Sequence, residues 1–193
     1  MDKEITNVDD LEESPAGTHF QQKSSSILGG NFGSILEWLK TDENDNFNLN
    51  KIYRASEDGD TRLHECIDAK GPTVMVISAN GRIFGGYTSL DWNTDGSFRT
   101  DTKSFLFSVT DNYKLPVDQS KNYWAIYAVK NSYTYFGYPT DLIIQNNFLT
   151  STTNASNNSG GTYPNNNGVY LAGELNFKID ELEVFTVEKV WLI

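Results

Sequence analysis

The segment from Gly71 to Trp92 constrains the fold most strongly, because it predicts a β-hairpin. Thr73–Ser78 is a largely apolar, β-branched run, and Arg82–Thr88 is a second extended segment. Asn80-Gly81 between them tolerates the positive φ angles that a type I′ turn requires. Since the first strand is apolar without alternation, we expect both of its faces to be covered. The hairpin is therefore predicted to lie in the core.

Gly85-Gly86 interrupts the second strand of this hairpin. Two glycines inside a strand predict a bulge or a close approach of another part of the chain. A phosphate-binding loop is not indicated, because no Lys-Ser/Thr follows and the preceding turn joins two strands.

The rest of the chain has more predicted strands than helices. Ser34–Lys40 has apolar residues at helical spacing and predicts two turns of helix with Ser34 as N-cap. A second short helix is expected around Asp60–Ile67. Further strands are predicted at Leu49–Ala55, Phe105–Val109, Tyr123–Val129, Asp141–Ile144 and Leu175–Ile193, the last as one long or two short strands. This pattern is typical of a mainly β fold, a two-sheet antiparallel β-sandwich with short flanking helices.

The length of 193 residues suits one domain and a tail. Residues 1–26 are acidic and polar, with few large apolar side chains, and predict a flexible N-terminal arm. Residues 27–193 are expected to form a single domain. Within it, the Asn-, Ser-, Thr- and Gly-rich segment Gln145–Gly168 is predicted to lie on the surface, outside the core.

Composition excludes several classes of function. The net charge of −11 argues against binding to nucleic acid or to anionic lipid, which require a basic surface. A single cysteine excludes an intrachain disulfide and fits a reducing compartment. The N-terminus lacks the apolar core of a signal peptide, and no run approaches ~20 apolar residues. We therefore expect an intracellular, cytoplasmic protein without direct membrane insertion.

The sequence offers three weak catalytic candidates: His64, Cys66 and Ser89. His64 and Cys66 are two positions apart, and residues at that spacing on a helix do not face each other. Ser89 would have to recruit His64 to form a hydrolytic triad with Asp91. No catalytic set is therefore predicted.

Metal sites are not predicted either. One cysteine and two histidines cannot supply a tetrahedral zinc site on their own. Asp42–Asn46 resembles the start of a calcium loop, but Phe47 and Tyr53 stand where that loop needs glycine and glutamate. The sequence thus predicts no metal and no cofactor.

Aromatic residues are frequent in one part of the chain. We interpret most of them as packing residues, with some forming an exposed patch for a partner. The residues concerned are Tyr123, Trp124, Tyr127, Tyr133, Tyr135, Phe136 and Tyr138.

Several blocks of sequence, in a fixed order, carry a family resemblance. They are Ile52–Gly59, Lys70–Thr73, Ile83–Ser89 with Trp92, Asp101, Phe105–Val109, Phe136-Gly137 with Asp141-Leu142, Leu171–Gly173 and Asn176–Phe185. Together they resemble the TLDc domain over roughly residues 35 to 187. The resemblance implies a β-sandwich with flanking helices. It also implies a link to oxidative-stress resistance and to binding and regulation of the vacuolar proton-pumping ATPase.

These observations predict a non-catalytic protein-interaction module that docks on a large assembly. Its expected partners are proteins, with subunits of the vacuolar ATPase favoured by the resemblance, and the oligomeric state is left open. Such a module would reach an organelle membrane only through its protein partner. One alternative is a redox-protective or hydrolytic enzyme using Cys66, His64 or Ser89. Another is a structural component of an organelle-specific or cytoskeletal assembly.

Overall fold

Strands form most of the regular structure. The computed structural model describes residues 25–30, 32–156, 160–165 and 168–191. The helices within those ranges are α1 (Gly33–Leu39), α2 (Ala55–Asp58) and α3 (Leu63–Ile67), with 3₁₀ turns at Asp60–Arg62 and Asn122–Trp124. The strands in chain order are β1 (Asn46–Arg54), β2 (Thr73–Ala79), β3 (Arg82–Thr88), β4 (Phe105–Ser108), β5 (Tyr113–Pro116), β6 (Ile126–Val129), β7 (Tyr133–Phe136), β8 (Leu142–Gln145), β9 (Asn154–Ser156), β10 (Asn176–Phe177) and β11 (Glu181–Val190).

The strands form two antiparallel sheets. Six strands pair in the order β1-β11-β2-β3-β4-β5, and five pair in the order β10-β9-β8-β7-β6. The main hydrophobic cluster joins inward-facing residues of both sheets, such as Ile77, Phe84, Phe136 and Leu182. The predicted mainly β sandwich with short flanking helices is confirmed.

The central hairpin has the predicted geometry. β2 and β3 pair over seven positions without a register shift. Asn80 and Gly81 have φ angles of 52° and 70°, both positive as a type I′ turn requires. Val74, Met75 and Val76 are completely buried, because β2 is covered on both faces.

Gly85 and Gly86 permit close packing on the two faces of β3. A Cβ atom added to Gly85 would lie 1.9 Å from the carbonyl oxygen of Met75 and 2.8 Å from the ring of Phe107. One added to Gly86 would lie 2.7 Å from the ring of Phe136. Since the register is continuous on both sides of these residues, the glycines serve close approach rather than a bulge. Phe136 belongs to the opposite sheet, so Gly86 sets how closely the two sheets pack.

The outer face of the six-stranded sheet is covered by residues 25–30 and 32–40, which we call the covering segment. Phe32 and Ile35 are buried against this face, and Phe32 meets Phe185 edge to face at 5.4 Å between ring centroids. A helix as short as α1 is not stable alone, so its packing on the sheet stabilises it. The covering segment thus gives the six-stranded sheet a second hydrophobic cluster.

A buried carboxylate, Glu183, holds the start of the covering segment. The Ser25 hydroxyl donates to Glu183, and the Ser26 N–H and hydroxyl donate to it at 3.1 Å. Lys51 Nζ lies 3.5 Å from the same carboxylate. Burial acts to raise the pKa of Glu183, but these hydrogen bonds and the lysine charge hold it below its usual value. Ser25 and Ser26 therefore contact the domain, while residues 1–24 of the predicted arm lie outside the described residues.

Two local predictions were wrong. Helix α1 begins at Gly33 after Phe32, and no side chain caps it, so Ser34 is not the N-cap. Residues 122–124 form a 3₁₀ turn, and the predicted strand at Tyr123–Val129 begins only at Ile126.

The prediction that Gln145–Gly168 lies outside the core was also wrong. Phe148, Asn154 and Tyr163 are buried, and β9 lies within this segment. The buried amide of Asn154 donates to the carbonyl oxygens of Phe148 and Phe177 at 3.1 and 3.2 Å. A polar segment can enter a core when its polar groups find partners in this way.

None of the helices within the described ranges combines the length and the hydrophobicity needed to cross a bilayer.

Candidate functional site

Charged residues are distributed very unevenly along the chain. The sequence holds 15 Lys/Arg and 26 Asp/Glu residues. Between Gln119 and Gly173 only Lys121, Lys130 and Asp141 are charged, and Asp141 is buried. This stretch supplies β6 to β9, so most of the five-stranded sheet is built from uncharged residues.

Side chains on β6 and β7 alternate between the core and the outer face. Ala128 and Phe136 point into the core, whereas Tyr127, Tyr133 and Tyr135 are partly exposed on the outside. Tyr127 lies directly opposite Tyr135 in the ladder. The period of two along each strand therefore places these three tyrosines on one face.

Four further aromatic residues extend this group into a continuous surface, which we call the aromatic surface. All seven of its members are at least partly exposed, and each contacts the next with ring centroids 4.4–5.9 Å apart. In order of contact they are Tyr123, Trp124, Tyr138, Phe98, Tyr127, Tyr135 and Tyr133. Tyr123 and Tyr138 are the most exposed, at 47% and 50%.

The sequence pointed to most of these residues but suggested that only some of them would form an exposed patch. Six of the seven aromatic residues singled out in the sequence belong to the aromatic surface, while Phe136 lies in the core. Phe98 was missed, because it lies in a polar, irregular stretch far from β6 in sequence. The isolated bridge between Arg99 and Ile126 brings that stretch beside β6.

Asp141 supports the aromatic surface from behind. Its carboxylate accepts hydrogen bonds from the backbone N–H groups of Gly161, Thr162 and Tyr163 at 2.8–3.1 Å. Thr162 Oγ1 in turn accepts from the Tyr138 N–H at 2.9 Å. Burial, the largest effect, raises the pKa of Asp141 to about 6 despite these donors. Tyr138 is thus held by a buried network.

The three catalytic candidates do not form one hydrogen-bonded set. The two ring nitrogens of His64 each lie 2.8 Å from a partner, Asp68 Oδ1 and Thr134 Oγ1. The Ser89 hydroxyl donates to Asp101 at 2.7 Å. Neither Ser89 nor Cys66 is hydrogen-bonded to His64.

Cys66 is a half-buried free thiol. Burial, followed by the charge of Asp58, raises its pKa. A raised pKa reduces the thiolate fraction and therefore the nucleophilicity of a cysteine.

Asp101 is a buried residue whose role sequence analysis did not identify. Its carboxylate accepts from the Thr88 hydroxyl, from the Ser89 N–H and hydroxyl, and from the Lys103 N–H at 2.7–2.9 Å. These contacts join the end of β3 to the loop before β4, which is a structural role. Among the described residues, no group of three or more His, Cys, Asp or Glu side chains is arranged to hold a metal ion.

Comparison with known proteins identifies the fold family. The sequence profile of the TLDc domain matches residues 20–188, nearly the whole chain. The chain belongs to the TLDc domain family. A relative, the MTOR-associated protein MEAK7 of Danio rerio, is 42% identical to this TLDc domain over 50 residues. The similarity covers 25% of this chain and 11% of that protein, so the chain corresponds to a small part of its relative.

The aromatic surface of this TLDc domain has the composition of a protein interface. Such interfaces are enriched in Tyr, Trp and Phe and depleted in charge at their centre. A contiguous patch of exposed apolar or aromatic side chains is typical of an interaction site. Among the described residues nothing covers this face in the way that the covering segment covers the opposite one.

Proposed function

We propose that this TLDc domain is a non-catalytic interaction module that docks on a large protein assembly through the aromatic surface. The observation that carries the proposal is the row of seven partly exposed, contacting aromatic rings, six of which come from a stretch of the chain with few charged residues. Lys121 and Lys130 are the only charged residues of that stretch that are not buried, so little charge has to be desolvated around those six rings. Asp95 and Arg99 flank the seventh ring, Phe98. Rigid aromatic side chains make such surfaces efficient binding sites because little side-chain entropy is lost on binding.

We further propose that the partner is the vacuolar proton-pumping ATPase. The association of TLDc proteins with that pump and with oxidation resistance supports this assignment. The Danio rerio relative is named for its association with MTOR. A relative with that name fits the proposal that this domain docks on a larger protein assembly. Bound to the pump, the domain would act in the cytoplasm at an organelle membrane, and a change in pumping would alter stress resistance indirectly.

Binding of the full chain to purified vacuolar ATPase tests the proposal. Cosedimentation and ATP-driven proton pumping are measured for the natural sequence and for the double variant Tyr123→Ser, Tyr138→Ser. Loss of one energetically important interface aromatic weakens binding by about 30-fold, and Tyr123 and Tyr138 are the two most exposed rings of the surface, so we expect the double variant to lose detectable binding. Trp191→Ser is the matched control, because Trp191 is an exposed aromatic residue, 75% accessible, outside the aromatic surface.

Two outcomes contradict different parts of the proposal. If the natural sequence neither cosediments with the pump nor alters pumping, the ATPase is not the partner. If it binds and the double variant binds equally well, the aromatic surface is not the interface. Thermal unfolding of each variant confirms that the fold is retained.

A further inference from the structure

A small basic cavity lies on the outer side of the six-stranded sheet, at the end of α1. Its volume is about 220 Å³. No Asp or Glu residue lines it, although the chain holds 26 of them. The residues that matter here are three lysines and three aromatic residues: Lys40, Lys103, Lys114, Trp38, Tyr87 and Phe105. The sign of the charge in this cavity is thus opposite to that of the whole protein.

Lys114 is the innermost of the three cations. Its half-buried ammonium donates to the carbonyl oxygen of Trp38 at 2.6 Å and lies 4.4 Å from the centroid of the Phe105 ring. It makes no ion pair with the described residues, and burial lowers its pKa. A partly desolvated cation without a counter-ion is unfavourable, so an anion entering the cavity would be bound favourably.

The other two lysines line the same cavity. Lys103 is exposed, and its ammonium makes no hydrogen bond or ion pair with the described residues. Lys40 pairs with Glu37 at 2.9 Å, but the Glu37 side chain is 70% exposed. An exposed pair of this kind contributes little, so it does not hold Lys40 away from a more strongly charged ligand.

We propose that this cavity binds an aryl phosphate monoester. Three lysines match the charge of about −1.5 to −2 that a phosphate monoester carries near pH 7. The partly exposed rings of Trp38 and Tyr87 in its wall favour a planar group on the ester oxygen, because rings pack in stacked or edge-to-face contacts. The cavity is smaller than the ~300 Å³ at which pockets for larger ligands begin, which favours a single ring over a nucleotide. The site is separate from the aromatic surface and does not depend on the function proposed above.

Titration of the full chain with phenyl phosphate at constant ionic strength tests this site. Amide chemical shifts of Thr102 and Lys103 and the indole signal of Trp38 report binding at the cavity. We expect saturable shifts at these positions, with tighter binding of phenyl phosphate than of inorganic phosphate or phenyl sulfate. Absence of saturation, or equal binding of all three anions, would overturn the proposal.

Matched variants locate the site. Lys103→Gln removes an exposed cation and should weaken phenyl phosphate binding about tenfold, with the unfolding midpoint unchanged. Lys130→Gln removes an exposed lysine on the β6–β7 turn and should leave binding unchanged. Lys114→Met removes the innermost cation and should abolish binding. If the Lys114→Met variant fails to fold, the affinities of the Lys103→Gln and Lys130→Gln variants for phenyl phosphate still test the site. Equal affinities of those two variants would overturn the proposal.

A short phosphotyrosyl peptide distinguishes the two sources of an aryl phosphate. Shifts of the same amides by the peptide, absent with its unphosphorylated form, assign the cavity to a modified tyrosine side chain. Shifts with phenyl phosphate alone assign it to a free small molecule. Either result supports the site, whereas peptide binding that is independent of the phosphate counts against it.

Discussion

The outer face of the six-stranded sheet is buried beneath the covering segment, whereas the outer face of the five-stranded sheet carries aromatic rings that no described residue covers. The first face uses its apolar side chains to stabilise the fold, with Phe32 and Phe185 in contact. The outer face of the five-stranded sheet keeps aromatic side chains of similar size partly exposed. One sandwich thus uses similar residue types for stability on one side and, as we propose, for recognition on the other.

The largest expected effect is a loss of stability when the contact between the covering segment and the six-stranded sheet is weakened. Phe32→Ala removes a side chain that is 2% exposed and should lower the free energy of unfolding by about 3–5 kcal/mol, because a cavity opens against Phe185. Urea unfolding followed by circular dichroism measures the change. Glu37→Ala, at an exposed position of the same helix, should change it by less than about 0.5 kcal/mol. Equal effects of the two substitutions would mean that the covering segment does not stabilise the sheet.

In the five-stranded sheet, acid should increase the contribution of a buried carboxyl group, Asp141, to the free energy of unfolding. Because the folded-state pKa of Asp141 is raised to about 6 from 3.8, the folded protein binds this proton more tightly than the unfolded chain. The contribution of Asp141 to stability therefore rises as the pH falls from 7 to 4, by at most about 3 kcal/mol. Carboxyl ¹³C NMR titration measures the pKa directly, and Asp141→Asn should remove this part of the pH dependence from urea unfolding.

On the six-stranded sheet, acid should act with the opposite sign. The pKa of Glu183 is held below its usual value, so its contribution is present above the unfolded-state pKa and is lost as the pH falls through the folded one. Glu183→Gln serves as the counterpart variant and should make the protein less sensitive to strong acid. A normal pKa for Asp141 would remove this contrast between the sheets.

The smallest expected effect concerns the aromatic surface itself. Tyr135 stacks between Tyr133 and Tyr127 at centroid distances of 5.0 and 5.4 Å. Tyr135→Ala should therefore lower the free energy of unfolding by about 1 kcal/mol, the usual value of aromatic pairs beyond burial. Tyr123→Ala, at the exposed end of the surface, should have a still smaller effect in the same urea experiment. A loss as large as that of Phe32→Ala would show that this face is a structural core and would weaken the docking proposal.

Local sequence predicted those parts of the fold that local chemistry determines. The hairpin β2–β3 follows from the Asn80-Gly81 turn and from the apolar run before it. The close packing at Gly85-Gly86 also follows from residue type, although the partner rings of Phe107 and Phe136 do not. These features depend on steric limits that act within a few residues.

The parts that could not be predicted depend on contacts between distant residues. Strand β9 is stabilised by the amide of Asn154, which reaches Phe177 across 23 positions of sequence. The short strands β5 and β7 likewise lack the apolar run that identified β2. For the candidate site, the frequency of aromatic residues indicated a surface, but the inclusion of Phe98 required the fold.

The position of β11 has a consequence for synthesis on the ribosome. β11 lies between β1 and β2 in the sheet and follows every other strand in the chain. The edges of β1 and β2 that pair with β11 therefore stay unpaired until β11 is synthesised. Roughly 130 residues are added between β1 and β11, which takes on the order of ten to thirty seconds at ordinary translation rates. During that interval the apolar hairpin β2–β3 needs protection from other nascent chains, so this domain is expected to depend on chaperones that act at the ribosome.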